Sequence, residues 1–306
     1  MPPLKYSAPD SFDNPTAMPD TLDQAQLWQN ENCLWWDTHP MRYDWKEGIQ
    51  SREFTAEFFS EVDHRFFSNV KEFMPWREIP FDALIDFHSL ENKDVLEIGV
   101  GMGSHAQLVA PFAGSYTGID ITDYAVRSSS ERLRLSGLGG TILRMDAEEM
   151  NFNDNRFDFV WSWGVIHHSS NPARIIREIH RVLKPGGKAV TMVYHRGFLN
   201  YYVVGGLFRG LLQGGLFKTG SLHRTIQLWT DGAIARFYSI PEWKGLVSPH
   251  FAIENILVFG SKSEIVPLPG GRIKKILMPL IPNRLGRLLT NHLKLGCLLV
   301  SILKKV

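Results

Sequence analysis

Hydrophobic and polar positions along the chain set out its elements before any other feature is considered. Over residues 51–74, Phe54, Phe58, Val62, Phe66, Val70 and Phe73 recur every three or four positions, which predicts an amphipathic helix packed on a core. A second short helix is expected over residues 81–87, followed by a polar turn. From Asp94 onward, short apolar runs alternate with helical segments. Strands are predicted from Asp94 to a glycine turn and over residues 115–120, 141–145, 157–163 and 188–195. Helices are predicted over 104–112, 123–135 and 172–183, the last with Asn171 as N-cap and Lys184-Pro185-Gly186-Gly187 as its stop. Residues 251–260 and 296–305 read as two more strands at an antiparallel edge. The expected class is α/β, a doubly wound and mainly parallel sheet of seven strands. Residues 1–90 form an N-terminal arm and helical lid in this reading. Residues 91–306 form the catalytic domain, with cap insertions at about 197–245 and 262–295.

The glycine turn carries the first chemistry. After Glu97 come Gly99, Gly101 and Gly103 at alternate positions. A dinucleotide site wants its third glycine one residue later, where Ser104 stands, and Glu97 would repel a pyrophosphate. It would attract a cationic amino group instead. Asp120 ends the second strand, where a carboxylate can accept from both hydroxyls of a ribose. Asp146, next to Ala147, ends the third strand and could accept from an adenine amine. The run from Phe157 to His168 is a buried strand entering a loop with two histidines. Ligands bind beyond the carboxyl ends of such strands, so the four features are expected to converge on one crevice.

Segments 94–103, 116–120, 145–152, 157–168 and 181–187 together resemble the successive motifs of class I S-adenosylmethionine-dependent methyltransferases. The run Glu178-Ile179-His180-Arg181-Val182-Leu183-Lys184-Pro185-Gly186-Gly187 is similar to the small-molecule branch, the ubiquinone-biosynthesis-like, type 11 enzymes. The resemblance implies a Rossmann-like methyltransferase fold with S-adenosylmethionine as cofactor. It places Gly99, Gly101 and Gly103 against the methionine part and Glu97 near its amino group. Asp120, with Ile121, would serve the ribose, Asp146 with Ala147 the adenine, and Ser162 or Trp163 would lie beside the sulfonium. Met150 and Asn151 stand where relatives often carry Leu and Pro, and Val100 replaces a frequent Cys; neither change removes a polar contact.

After the fourth strand the chain reads Ser162-Trp163-Gly164-Val165, not the Pro-Pro-aromatic motif of enzymes that methylate amino groups of nucleic-acid bases. A small-molecule acceptor is expected, with no nucleic acid and no metal. Placing the acceptor against the methyl carbon matters more than proton removal. Candidates for a base are His168, His195, Tyr194 and Tyr43, with histidine favoured because its ordinary pKa lies near neutrality. A lipid or quinone acceptor at a membrane surface is one alternative; a non-catalytic cofactor-binding module is another.

Composition refines this picture at the periphery. A formal net charge of +1 offers no electrostatic footprint for nucleic acid. Cys33 and Cys297 suggest neither a disulfide framework nor a metal site, and the N-terminus lacks a signal-peptide pattern, so a cytoplasmic location is expected. Residues 1 to about 20 carry five prolines and read as a mobile arm. Trp28, Trp35, Trp36, Tyr43 and Trp45 then crowd together, as a helix packed on the core or as a lid facing a sulfonium or ammonium group. Asp37, His39 and Tyr43 would supply the polar contacts of such a lid. Residues 197–217 are apolar but broken by Arg209 and glycines, which fits a cap or an interface better than a membrane span. The basic, leucine-rich stretch between the last two strands reads as a solvated helical face, or as a peripheral contact with an anionic membrane.

Overall fold

Seven strands form one sheet: β1 (Asp94–Ile98), β2 (Ser115–Asp120), β3 (Thr141–Arg144), β4 (Phe157–Trp163), β5 (Leu183–Tyr194), β6 (Ala252–Phe259) and β7 (Leu298–Lys304). Their order is β3-β2-β1-β4-β5-β7-β6. The first five strands are parallel, and β7 runs antiparallel between β5 and β6. The chain winds outward from β1 to β3 and then crosses back to β4 on the other side of β1. That reversal opens a crevice beyond the carboxyl ends of β1 and β4. The structure, a computed structural model, describes residues 12–44, 47–268 and 270–306. Trp45 and residues 1–11 of the expected arm lie outside the described residues.

Helices α1 (Leu22–Thr38) and α2 (Ala56–Phe73) precede the sheet. Helices α3 (Ser104–Val109), α4 (Asp123–Leu135) and α5 (Pro172–Val182) connect its parallel strands. Beyond β5 come α6 (Gly215–Thr219), α7 (Leu222–Gln227) and α8 (Ile240–Val247). Helices α9 (Arg272–Leu277) and α10 (Asn283–Arg287) lie between β6 and β7. Strand alternation divides the core. Leu96, Ile98 and Val160 pack with α5 and α8 on one face, through Ile175, Ile176, Ile179 and Trp243. Val95, Trp161 and Val190 pack with α2, α3 and α4 on the other, through Phe66, Val70, Ala106 and Leu133. The predicted stripe of α2 is buried at Phe58, Val62, Phe66, Val70 and Phe73. Each such side chain contributes about 1.5–3 kcal/mol.

One element differs from the sequence reading. No helix forms over residues 81–87. The buried Phe81 has a left-handed φ of 70°, which stops helical propagation, and the segment becomes a turn followed by a 3₁₀ turn at Phe87–Leu90 capped by Asp86. The stretch after β5 is a π-helix, Phe198–Leu212. Its Gly205 faces Ile226 so closely that a Cβ would come within 2.6 Å of that side chain. Among the described residues, no helix is long and apolar enough to cross a membrane.

Candidate active site

The turn after β1 is left-handed at all three glycines, with φ of 80° at Gly99, 50° at Gly101 and 76° at Gly103. A Cβ at Gly99 would fall 2.1 Å from Val165 Cγ2, so the loop after β4 requires glycine there. A Cβ at Gly101 would meet nothing within 4 Å and would project into open space. Asp120 fixes this turn. Its Oδ2 accepts from the Gly101 amide at 3.2 Å, and its Oδ1 accepts from the Thr122 amide and hydroxyl at 3.0 and 2.9 Å.

Arg132, buried on α4, braces the same turn from behind. It donates to the Met102 carbonyl at 3.2 Å and to Gln107 Oε1 at 2.7 Å, and it pairs with Asp63 of α2. Asp63 also accepts from Ser104 Oγ at 2.7 Å. No motif in the sequence marks Arg132 or Asp63, because α2 and α4 meet only in the folded chain.

A cavity of about 390 Å³ opens at the strand tips. Of the predicted residues, Gly99, Gly101, Asp120, Ile121, Asp146, Ala147, Trp163, His168, Tyr194 and Tyr43 line it. Glu97, Gly103, Ser162 and His195 do not. The pleat explains Glu97. It alternates with Leu96 and Ile98, so its side chain points beneath α3 rather than into the crevice. There Oε2 accepts from the Tyr116 hydroxyl at 2.6 Å and burial raises the carboxyl pKa to about 8. Burial thus favours the neutral form of Glu97. Ser162 is fully buried, and its Oγ has no partner among the described residues. His195 spends Nδ1 on the Gly296 carbonyl at 2.7 Å, away from the cavity.

One end of the cavity is polar and shaped by strand tips. Burial raises the pKa of both Asp120 and Asp146, against the backbone hydrogen bonds each accepts. Gln29 of α1 donates to both carboxylate oxygens of Asp146 at 3.0 Å and accepts from the Ser170 amide at 3.0 Å. Gln29, Asn32 and Trp36 lie on one face of α1 and line the cavity. The buried Asn32 Oδ1 has no hydrogen-bond partner among the described residues. The polar contacts expected of Asp37 and His39 fall elsewhere. Asp37 accepts from the Tyr124 amide at 3.1 Å, and His39 stacks on Trp35 with ring centres 4.7 Å apart.

Phe66, Phe73, Met192 and Leu298 form an apolar wall of the same cavity, and Tyr194, Asp231 and His168 are among its further polar groups. The Tyr194 hydroxyl donates to Asp231 Oδ1 at 2.7 Å. Burial, then the Asp231 charge, pushes the Tyr194 pKa well up, and burial does the same to Tyr43. Both phenols stay protonated at neutral pH. His168 lies 2.7 Å through Nδ1 from the Ile234 carbonyl, which can only accept, so Nδ1 carries the proton. Burial lowers its pKa, while Asp231 raises it. Nε2 is left as a lone pair with no hydrogen bond among the described residues. Gly232 makes room for this ring, since a Cβ there would fall 2.4 Å from Nδ1. Sequence reasoning missed Asp231; a turn-like Asp-Gly pair was its only trace.

Residues 96–191 match the family model of the methyltransferase domain, and this segment contains the glycine turn, both strand-end aspartates and His168. Over this segment, 96 of its 306 residues, the chain is similar to methyltransferase domains. Over 95 residues it is 36% identical to cycloartenol-C-24-methyltransferase 1 of Oryza sativa subsp. japonica, covering 30% of this chain and 28% of that protein. It is 29% identical over 142 residues to the ubiquinone biosynthesis O-methyltransferase of Pseudomonas aeruginosa, covering 45% of this chain and 61% of that one. The chain thus spans less than two thirds of the length of these curated relatives. The crystal structure of the [4+2]-cyclase SpnF shares the fold over 96% of this chain and 98% of its own, with 16% identity and a TM-score of 0.51.

The residues present fit S-adenosylmethionine, the cofactor that the resemblance implies. Gly101 leaves room for close backbone approach, and carboxylates stand at two neighbouring strand tips. The Ala147 amide donates to no acceptor among the described residues. These are the donor and acceptors that a nucleoside needs.

Proposed function

We propose that the protein transfers a methyl group from S-adenosylmethionine to a small-molecule acceptor by in-line displacement. The reading rests on one observation: a single cavity joins the Gly101–Asp120–Asp146 end to an aromatic end that holds the free Nε2 of His168. In this reading Asp120 accepts from the ribose hydroxyls. Asp146 and the Ala147 amide take the adenine edge, and Gly99 and Gly101 let the backbone approach the methionine part. Ile121 and Trp163 supply apolar walls. The cofactor, when bound, supplies a methyl group already activated on a sulfonium.

The remaining work belongs to this chain. Helix α1 closes the cavity as a lid and excludes water, with Trp36 facing the His168 ring edge-on at 4.9 Å. Tyr43 and Tyr194, held protonated, orient the acceptor by donating or accepting hydrogen bonds. His168 Nε2 takes the acceptor's proton as the new bond forms. Aligning the two reacting atoms can contribute about 7–11 kcal/mol, more than base assistance typically adds. The two free cysteines support a reducing, cytoplasmic setting.

A second reading makes the acceptor apolar, a lipid or quinone, and is favoured by the Phe66, Phe73, Met192 and Leu298 walls. Calorimetry with S-adenosylmethionine, followed by mass spectrometry for S-adenosylhomocysteine formed with candidate acceptors, tests both. Cofactor binding with no turnover on polar or apolar acceptors would favour a binding module and defeat the proposal.

A further inference from the structure

Apolar side chains left in water are concentrated on one part of the molecule. Of nineteen exposed large hydrophobic side chains among the described residues, six lie within residues 198–217 and seven within 273–293. Isolated exposed leucines need no explanation, but this clustering does. Ile273, Ile276, Leu277 and Leu280 follow the i, i+3, i+4, i+7 spacing of one helical face. They are 68, 69, 36 and 73% exposed, and α9 buries none of its residues. The hydrophobic stripe of this segment thus faces solvent, the reverse of α2.

Charge follows the same boundary. Residues 198–230 and 265–294 hold nine of the chain's 33 Lys and Arg and none of its 32 Asp and Glu. The rest of the chain, with 24 cations against 32 anions, carries a formal −8. The near-neutral total conceals this polarity. Lys218, Arg272, Lys275, Arg284 and Lys294 are exposed and form no ion pair with the described residues. Elsewhere surface cations are commonly paired: Arg134, Arg144 and Lys188 each meet a carboxylate within 2.9 Å.

The two segments share a support, the π-helix contacting the 3₁₀ turn at Lys262–Ile265 on which α10 also packs. The second segment also reaches the cavity wall. Arg287 donates to the Glu72 carbonyl at 3.1 Å and Asn291 to the Phe73 carbonyl at 2.9 Å. Phe73 itself lines the cavity.

We propose that the face built from the π-helix, α9 and α10 docks on an anionic lipid bilayer. Apolar side chains would enter the interfacial region while the unpaired cations meet lipid headgroups. A second protein copy would place like-charged cations against one another, whereas an anionic bilayer complements them. The docking does not depend on the chemistry in the cavity.

Flotation of the full chain tests it, using phosphatidylcholine vesicles with and without phosphatidylglycerol. The wild type is expected to float with the phosphatidylglycerol vesicles at low salt, and less as salt rises. Ile276→Glu/Leu280→Glu and Lys275→Glu/Arg284→Glu should each lower the floated fraction several-fold, while melting temperature and S-adenosylmethionine binding stay as in the wild type. Failure of the wild type to float on anionic vesicles at low salt overturns the proposal. So does flotation of both double variants at the wild-type level. Light scattering is the further control: a lipid-indifferent dimer that Ile276→Glu/Leu280→Glu makes monomeric would assign the face to self-association instead.

Discussion

The two ends of the cavity are built in different ways. The end proposed for the cofactor comes mainly from consecutive strand tips within about fifty residues, Gly99 to Ala147, with Gln29 and Asn32 of α1 beside them. The acceptor end gathers Tyr43, Phe73, His168, Tyr194, Asp231 and Leu298, from residues spread over most of the chain. The first is a property of a supersecondary unit, and the second is a product of packing. The cofactor end is therefore expected to be set by backbone geometry, and the acceptor end by side chains that neighbouring elements hold in place.

Breaking the scaffold behind the cofactor end should have the largest effect. Arg132→Leu leaves the half-buried Asp63 beside Ser104 without its partner and should cost about 3 kcal/mol, the lower end of the range for breaking a buried pair, in urea unfolding. Adding Asp63→Leu should return part of that loss. A neutral result for the single variant would mean the glycine turn needs no brace.

Asp120→Ala comes next. Each hydrogen bond to a charged group is worth about 1.5–3 kcal/mol, so losing two should weaken S-adenosylhomocysteine binding by about 10²–10⁴-fold in calorimetry. Unchanged affinity would remove Asp120 from the cofactor site.

His168→Gln probes the other end. It should lower kcat by about 10²-fold if the imidazole takes a proton in the reaction. Cofactor affinity should stay within about a factor of two, if the two ends are energetically independent. The pH profile sharpens the assignment. On the proposed reading His168 acts in its neutral form, and burial holds its pKa below the ordinary 6.5. The rate should therefore be flat near pH 7 and fall only as pH drops below 6.5, through the folded-state pKa. Asp231→Asn removes a charge that raises this pKa, so the acid limb should move to still lower pH.

The smallest change concerns the lid. Gln29→Ala deletes the bonds from α1 to Asp146, and about 1 kcal/mol of hydrogen bonding predicts roughly fivefold faster cofactor release in stopped flow. A much larger effect would make α1 a structural part of the adenine site rather than a cover.

The sheet was legible because buried parallel strands are short apolar runs with punctuation that local chemistry explains. Even the antiparallel edge could be read, since β6 and β7 keep the same pattern. Residues 81–87 misled because Phe81, Leu84 and Ile85 have helical spacing, while the positive φ at Phe81 is imposed by its packing among His105, Trp161 and Trp163. Glu97 sits two residues before the first glycine, as a methyltransferase motif requires, yet the pleat turns it under α3. The outward-facing stripe of α9 shows the same limit: periodicity identifies a helix, but not which side the protein covers.

By itself, then, the amino-acid order determined the strands, their winding and the polar groups at the strand tips. Those follow from backbone geometry and hydrophobic period within some thirty residues of chain. Only the tertiary structure decided that Arg132 would brace the turn, that Gln29 would reach Asp146, and that Asp231 would stand beside Tyr194. Such contacts depend on which distant surfaces meet, and that is set by the packing of the whole core, with no trace in local periodicity.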